Sequence, residues 1–184
     1  MDEARKRWAA FGDVTERLKR RNLVRREVAL AELVDMLRPR DSPQHKGLML
    51  DWNGARQLRN AGFEIGSHSS QHAILSEETA EEQFRDLAQS RKLLEGELQI
   101  PVDVLAYPNG SALDFNDDTE RAAAAANYRF AVTTIPGINT AAPDRHAIRR
   151  AVVFPEEGTL KLAKVLAKSL LPSARVPTPV AVHS

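Results

Sequence analysis

Short apolar runs alternate with helical patterns between residues 52 and 154, and this alternation is what most constrains the fold. The runs of strand length cover residues 63–67, 101–107, 128–134 and 148–154. Helical spacing of apolar residues covers residues 52–61, 76–98 and 119–127. Because strands that alternate with helices usually pair in parallel, the sequence predicts an α/β domain with a mostly parallel sheet.

The helix predicted over residues 76–98 carries its own start signal. Ser76 is a favourable N-cap, and the two glutamates that follow it suit the positive end of a helix dipole. The apolar spacing predicts a buried face that contains Phe84, Leu87, Leu94 and Leu98.

Helical segments flank this α/β region on both sides. Residues 1–46 form a basic helical segment, and residues 159–171 form an amphipathic helix. The tail that continues to residue 184 is rich in proline and valine, and we expect it to be disordered. The basic run from Arg17 to Arg26 is interpreted as the solvated face of a helical hairpin, with a nucleic-acid contact as the alternative.

Bulk properties exclude several classes of protein. The 184 residues carry a formal net charge of +1, which indicates no strong field for nucleic acid or membranes. Cysteine is absent, so disulfides and thiolate metal sites are excluded. No apolar run reaches the length of a membrane span and no signal peptide is evident, so we expect the chain as given to stay in the cytoplasm.

Two histidines four residues apart follow the strand predicted over residues 63–67. Gly66 frees the backbone to turn, and His68 and His72 can then close on one metal ion from a single loop. Neutral imidazole suits zinc and other divalent first-row metals, and a catalytic zinc site usually has three protein ligands and an open position. The pair therefore requires a third ligand, and by itself it is more often a chance spacing than a metal site.

Several motifs in order resemble the polysaccharide deacetylases, the NodB-homology domain of carbohydrate esterase family 4. Residues 62–68 match the family pattern Gly-x-Glu-Ile-Gly-Ser-His, and residues 68–72 match its metal motif His-Ser/Thr-x-x-His. Residues 106–110 resemble the Ala-Tyr-Pro-x-Gly turn, and residues 128–139 resemble a Tyr-Arg-x-Ala-Val-Thr strand and the loop after it.

The resemblance implies a metal-dependent hydrolase that removes acetyl groups from an N-acetylated polysaccharide or amino sugar. It implies a deformed (β/α) barrel and a divalent metal, in the first place zinc, with His68 and His72 as ligands. The backbone amide of Asn109 is then the candidate oxyanion donor, and Arg150 is a candidate for orienting the base or the substrate. The expected partner is an acetylated glycan, with no nucleic acid.

One family motif is missing from this chain. The family begins with an apolar strand that ends in an Asp-Asp pair, which supplies the general base and the third metal ligand, and no such strand is present. We therefore expect an incomplete barrel that is truncated at its N-terminus, with residues 1–46 as an insertion-like segment and residues 47–158 as a partial deacetylase domain. An exposed sheet edge would then invite self-association.

The missing motif leaves the general base without a candidate. Asp114, Asp117 and Asp118 could stand in, but they are expected instead to cap the helix that follows them. The alternative to an enzyme is a non-catalytic, deacetylase-like module that binds glycan or protein, or a gene fragment. If the true start lies upstream, the cell envelope or secretion becomes the expected location.

Overall fold

The computed structural model describes residues 2–39, 47–139, 142–152 and 158–170. Its helices are α1 (Glu3–Lys19), α2 (Leu23–Leu37), α3 (Trp52–Asn60), α4 (Ala80–Leu98), α5 (Asp117–Ala125) and α6 (Gly158–Leu170). Its strands are β1 (Val104–Ala106), β2 (Phe130–Pro136) and β3 (Ile148–Arg150), and a 3₁₀ turn, Leu75–Glu77, precedes α4. No helix in these ranges is long and apolar enough to cross a membrane.

The three strands form one parallel sheet in the order β1-β2-β3. Leu105 of β1 lies opposite Ala131 of β2, and Val132 of β2 lies opposite Ile148 of β3. On the other side of β1, Ser67 makes an isolated parallel bridge to Leu105. The predicted mixture of helices with a parallel sheet is therefore confirmed.

The core joins α4 and α5 to the sheet. Leu87 of α4, Leu105 of β1, Ala123 of α5 and Ala131 of β2 are fully buried in one apolar cluster. Each buried leucine contributes roughly 1.5–3 kcal/mol relative to an exposed one. This cluster fixes the distance between α4 and β1, and so it fixes the position of the segment between Ser67 and α4.

The predicted strand over residues 63–67 is only partly present. Ser67 alone forms ladder hydrogen bonds, from its amide to Val104 O at 2.8 Å and from the Ala106 amide to its carbonyl at 2.8 Å. Phe63 is 62% exposed. The described residues place no second strand beside residues 63–66, and without a partner the alternating pattern does not become a strand.

Two other predicted strands are shorter than the sequence indicates. β1 begins at Val104 rather than at Pro101, since proline has no amide hydrogen to donate to a neighbouring strand. β3 ends at Arg150, and residues 153–154 of the predicted strand lie outside the described residues. The predicted tail from residue 172 onward also lies outside them.

The predicted start of α4 is wrong. Thr79 is the N-cap and forms a capping box, in which Glu82 N donates to Thr79 Oγ1 at 3.3 Å and Thr79 N donates to Glu82 Oε2 at 2.9 Å. Ser76 lies in the 3₁₀ turn and donates to the Leu113 carbonyl at 2.7 Å. A reciprocal pair satisfies two free amides where a lone serine satisfies one.

Half of the predicted buried face of α4 is fully buried. Leu87 and Leu98 are 0% exposed, and Leu94 packs against the core cluster. Phe84 is 43% exposed, because the buried stripe runs instead through the polar side chains of Gln83, Asp86 and Ser90.

Candidate active site

The two histidines lie side by side directly after Ser67, the residue that bridges to β1. Their ring centroids are 4.8 Å apart and the rings are nearly perpendicular, at 84°. His68 Nδ1 lies 2.7 Å from the carbonyl oxygen of Ala106. Since a carbonyl only accepts, Nδ1 must carry the proton, and Nε2 is left with the free lone pair that a metal ligand needs.

A tight loop, residues 68–72 (the histidine loop), carries the pair, and the backbone of this loop is unusual. Ser69 and His72 have positive φ angles of 66° and 49°, in the left-handed region that residues other than glycine rarely enter. Inside the loop, Ser69 Oγ accepts a hydrogen bond from the His72 amide at 2.9 Å. Such a loop persists only where its surroundings hold it in place.

Asp86 of α4 holds this loop from the protein interior. Its two carboxylate oxygens accept hydrogen bonds from the backbone amides of Ser70, at 2.7 Å, and Gln71, at 3.0 Å. The side chain is buried, and this burial raises the pKa of Asp86, while the two amide donors oppose that rise. A buried carboxylate with two backbone donors therefore fixes the peptides that lie between the histidines.

The turn after β1 is the second part of the site. Asn109 has a φ of 58°, and its carbonyl accepts from Thr134 Oγ1 at 2.7 Å. The Gly110 carbonyl accepts a hydrogen bond from the Thr134 amide at 2.8 Å, so the turn is hydrogen-bonded to β2 through both Asn109 and Gly110. No acceptor for the Asn109 amide is found within residues 2–39, 47–139, 142–152 and 158–170. The structure thus leaves this N–H available at the carboxyl edge of the sheet.

Arg150 lies at the same edge but farther along it. It ends β3, and its Nε donates to the carbonyl oxygen of Thr133 in β2. β1 and β2 separate it from the histidine loop, which corresponds to three strand spacings, or roughly 14 Å across a flat sheet. The three predicted positions share an edge, but only the turn at Asn109 follows the strand next to the histidines.

The aspartates considered as substitutes for the missing pair are not caps in the way expected. Asn116 is the N-cap of α5, and Asp117 and Asp118 lie in its first turn. Asp114 is buried and accepts from the Ser111 amide at 2.8 Å and from Arg20 at 3.1 Å. Asn116 takes the capping position because its side chain and that of Thr119 satisfy each other's backbone amides.

The fit of a divalent metal to this site is partial. Two imidazoles in one loop, one with its tautomer set by a carbonyl, have the chemistry of zinc ligands. Across the described parts of the chain, no group of three His, Cys, Asp or Glu side chains could hold a metal ion. Among the described residues the histidine pair thus has no third His, Cys, Asp or Glu beside it.

Sequence reasoning missed two polar neighbours of the loop. Asp86 was missed although the signal was present, since Gln83, Asp86, Leu87 and Ser90 share the spacing of one helical face. Arg26 of α2, whose Nη2 donates to the Gln71 carbonyl at 3.1 Å, had no such signal. A contact across 45 residues of sequence becomes visible only in the folded chain.

Comparisons with known proteins show which family the sequence resembles. The sequence matches the polysaccharide deacetylase family over residues 19–131. YxkH of Bacillus subtilis (strain 168), named for the polysaccharide deacetylases, is 29% identical over 100 residues, which are 54% of this chain and 35% of that protein.

Solved deacetylase structures resemble the fold. The Streptococcus pyogenes deacetylase PplD, solved in complex with acetate, is 26% identical with a TM-score of 0.59, over 63% of this chain and 50% of that one. The BpsB deacetylase domain from Bordetella bronchiseptica is 22% identical with a TM-score of 0.53, over 62% of this chain and 53% of that one, and it shows the likeness of fold. This chain thus spans about a third of YxkH and half of PplD. Because the family match covers more than half of the chain and includes both histidines, the chain belongs to the polysaccharide deacetylase family.

Proposed function

We propose that this chain carries the histidine half of the active site of a metal-dependent hydrolase, which removes acetyl groups from an N-acetylated polysaccharide or amino sugar. The observation that supports this most is the hydrogen bond from His68 Nδ1 to the Ala106 carbonyl. This hydrogen bond orients one imidazole for a metal. It also connects the histidine loop to β1, the strand that leads into the turn at Asn109.

The reaction assigns a task to each group. A divalent metal, in the first place zinc, would supply polarisation of the acetyl carbonyl and activation of water at neutral pH. His68 and His72 would hold it, and the hydrogen bond from Nδ1 would keep the tautomer of His68 fixed. The amide of Asn109, which has no acceptor among the described residues, would donate to the oxyanion that forms when the acetyl carbon is attacked. The proposed role of Arg150 is to orient the general base or the substrate.

We infer that the remaining groups of this reaction come from a part of the protein that the structure does not describe. A catalytic zinc usually has three protein ligands, and a general base contributes about 10²–10⁴-fold to the rate. We infer that the sheet belongs to an incomplete deformed (β/α) barrel, in which a further strand beside residues 63–66 would bring these carboxylates. Acetate, with which PplD was solved, is the product that this reaction releases.

A second candidate function is a non-catalytic, deacetylase-like module that binds glycan. It is favoured by one observation, the lack of a third His, Asp or Glu ligand among the described residues. Both functions share the substrate class, and they differ in whether acetate is released.

The test is acetate release from an N-acetylated chito-oligosaccharide, measured with zinc and with a chelator. We expect release that requires zinc and falls at least tenfold in His72→Ala. His146→Gln is the matched control, because His146 donates from Nε2 to Tyr128 O and takes no part in the site. Zinc-dependent release that His72→Ala leaves unchanged would overturn the proposal, and oligosaccharide binding without release would establish the second candidate.

A further inference from the structure

Both peptide groups of Gln71, the one before its Cα and the one after it, are hydrogen-bonded to charged side chains. Its N–H donates to Asp86 Oδ2 at 3.0 Å, and its carbonyl accepts from Arg26 Nη2 at 3.1 Å. Asp86 belongs to α4 in the core, whereas Arg26 belongs to α2 in the basic N-terminal segment. The guanidinium thus fixes the peptide group that joins Gln71 to His72, and the carboxylate fixes the peptide group that joins Ser70 to Gln71.

The Arg26 contact is one of three polar contacts that join the α1–α2 junction, residues 20–26, to the rest of the domain. Arg20 pairs with the buried carboxylate of Asp114 at 3.1 Å. The backbone amide of Leu23, at the start of α2, donates to Glu78 Oε1 at 2.7 Å. The three contacts are made with the histidine loop, the segment before α4 and the loop before α5. They fix the position of the junction beside the candidate site.

The loop requires such support because of its backbone. Ser69 and His72 both have positive φ, and a residue other than glycine stays in this region only where its surroundings enforce it. The contacts within the loop are short-range, as in the bond from the His72 amide to Ser69 Oγ. Asp86 and Arg26 are the charged groups that connect the loop to two separate helices.

We propose that Asp86 and Arg26 are positioning residues for the metal ligands, and that the α1–α2 junction serves as an outer clamp on the histidine loop. Neither side chain touches the reacting atoms. Each acts on one of the two peptide groups that flank the Cα of Gln71, and these peptide groups set the direction of the backbone into His72. This inference rests on the proposed function for its consequence, but the clamp itself can be measured without activity.

The first experiment measures hydrogen exchange of the metal-free protein. We expect Arg26→Ala to speed exchange of the Ser70 and Gln71 amides about tenfold, as expected for the loss of one charged hydrogen bond. Arg25→Ala is the matched control, since Arg25 is the exposed neighbour on the same helix. Arg26→Lys keeps a cationic donor and should restore part of the protection. Equal exchange in Arg26→Ala and Arg25→Ala would overturn the clamp.

The second experiment measures zinc affinity by competition with a chromophoric chelator. Loss of a group that orients a metal ligand typically weakens binding about 10–100-fold, and we expect this for Asp86→Asn and Arg26→Ala but not for Arg25→Ala. Since the two side chains hold adjacent peptide groups of one residue, the double variant should be weakened by less than the product of the two single effects. Zinc affinity that neither variant changes would refute the positioning role.

The outcomes separate this inference from the proposed function. If the wild-type chain binds no zinc through His68 and His72, the proposed function fails, and the exchange data alone decide whether the clamp exists. If zinc binds through the histidines and Arg26→Ala matches Arg25→Ala in both measurements, only the positioning role fails. Because Asp86 is buried and Asp86→Asn can perturb folding, the partly exposed Arg26 gives the deciding comparison.

Discussion

At the scale of single residues, one proton determines which nitrogen of His68 is free. The Ala106 carbonyl holds Nδ1–H, and the rings of His68 and His72 lie nearly perpendicular at a centroid separation of 4.8 Å. Two imidazoles in one loop can then approach an ion from different directions. The histidines and their spacing were readable from the sequence, whereas the carbonyl that fixes the tautomer was not.

A second residue, Glu120, predicts how stability depends on pH. Burial raises the pKa of Glu120, and the neighbouring carboxylates of Asp144 and Asp117 raise it further, against the smaller effect of His146. A carboxyl whose pKa is higher in the folded state binds its proton more tightly there. Its stabilising contribution is therefore full below the ordinary value of 4.5 and is lost as the pH rises through the raised pKa.

We therefore expect Glu120→Gln to be slightly more stable than the wild type at pH 7, by about 0.5 kcal/mol or less, and to show a flatter profile in mildly acidic solution. Urea unfolding between pH 4 and pH 7 measures this. Glu64→Gln is the control at an exposed position. A variant less stable than the wild type at pH 7 would show that the charged form of Glu120 is favourable in the fold.

At the scale of elements, the turn after β1 is built on close backbone contact. Gly110 has a φ of +70°, and a Cβ there would lie 3.0 Å from Thr134 N and 3.1 Å from Tyr107 O. Gly62, after α3, also has a positive φ of +88°, but a Cβ there would meet nothing within 4 Å. Substitutions at the two glycines therefore distinguish the free-energy cost of a positive φ from the cost of a steric clash with nearby backbone atoms.

We expect Gly62→Ala to lower the free energy of unfolding by about 1 kcal/mol, because only the angle is unfavourable. Gly110→Ala should cost at least about 2 kcal/mol, since backbone atoms must also move. Chemical denaturation of both variants gives the comparison. Equal losses in the two variants would mean that the turn yields easily and does not hold the Asn109 amide in place.

The helices were more predictable than the strands, for a physical reason. A helix closes its hydrogen bonds locally, so α3 matches its predicted range to within one residue. A strand needs a partner, so residues 63–67 read as a strand and yet pair only at Ser67. The start of α4 was misplaced for a smaller reason, because Ser76 and Thr79 are both good caps and the choice depended on Glu82.

At the scale of the whole molecule, the sheet edge next to the candidate site has no further strand beside residues 63–66 within the described ranges. Phe63 is 62% exposed and Val104 of β1 is 37% exposed on this side. Unpaired edges with apolar side chains are templates for association between chains. The self-association expected from the sequence stays a prediction, and this edge is where we expect it to occur.

We expect the protein to self-associate at micromolar concentration through this edge. Phe63→Asp should weaken the association at least about tenfold, because a buried phenylalanine contributes roughly 1.5–3 kcal/mol. Sedimentation velocity over a concentration series is the measurement. Leu113→Asp, which changes another exposed apolar side chain, should leave association unchanged. A monomeric wild type, or the same loss in both variants, would argue against the edge.

The most direct test of the central claim is the zinc content and affinity of the purified chain by titration calorimetry. We predict about one equivalent of zinc, with affinity reduced at least tenfold by His68→Ala and by His72→Ala and unchanged by His146→Gln. Zinc binding that survives both histidine substitutions, or no specific binding in the wild type, would contradict the assignment of His68 and His72 as metal ligands.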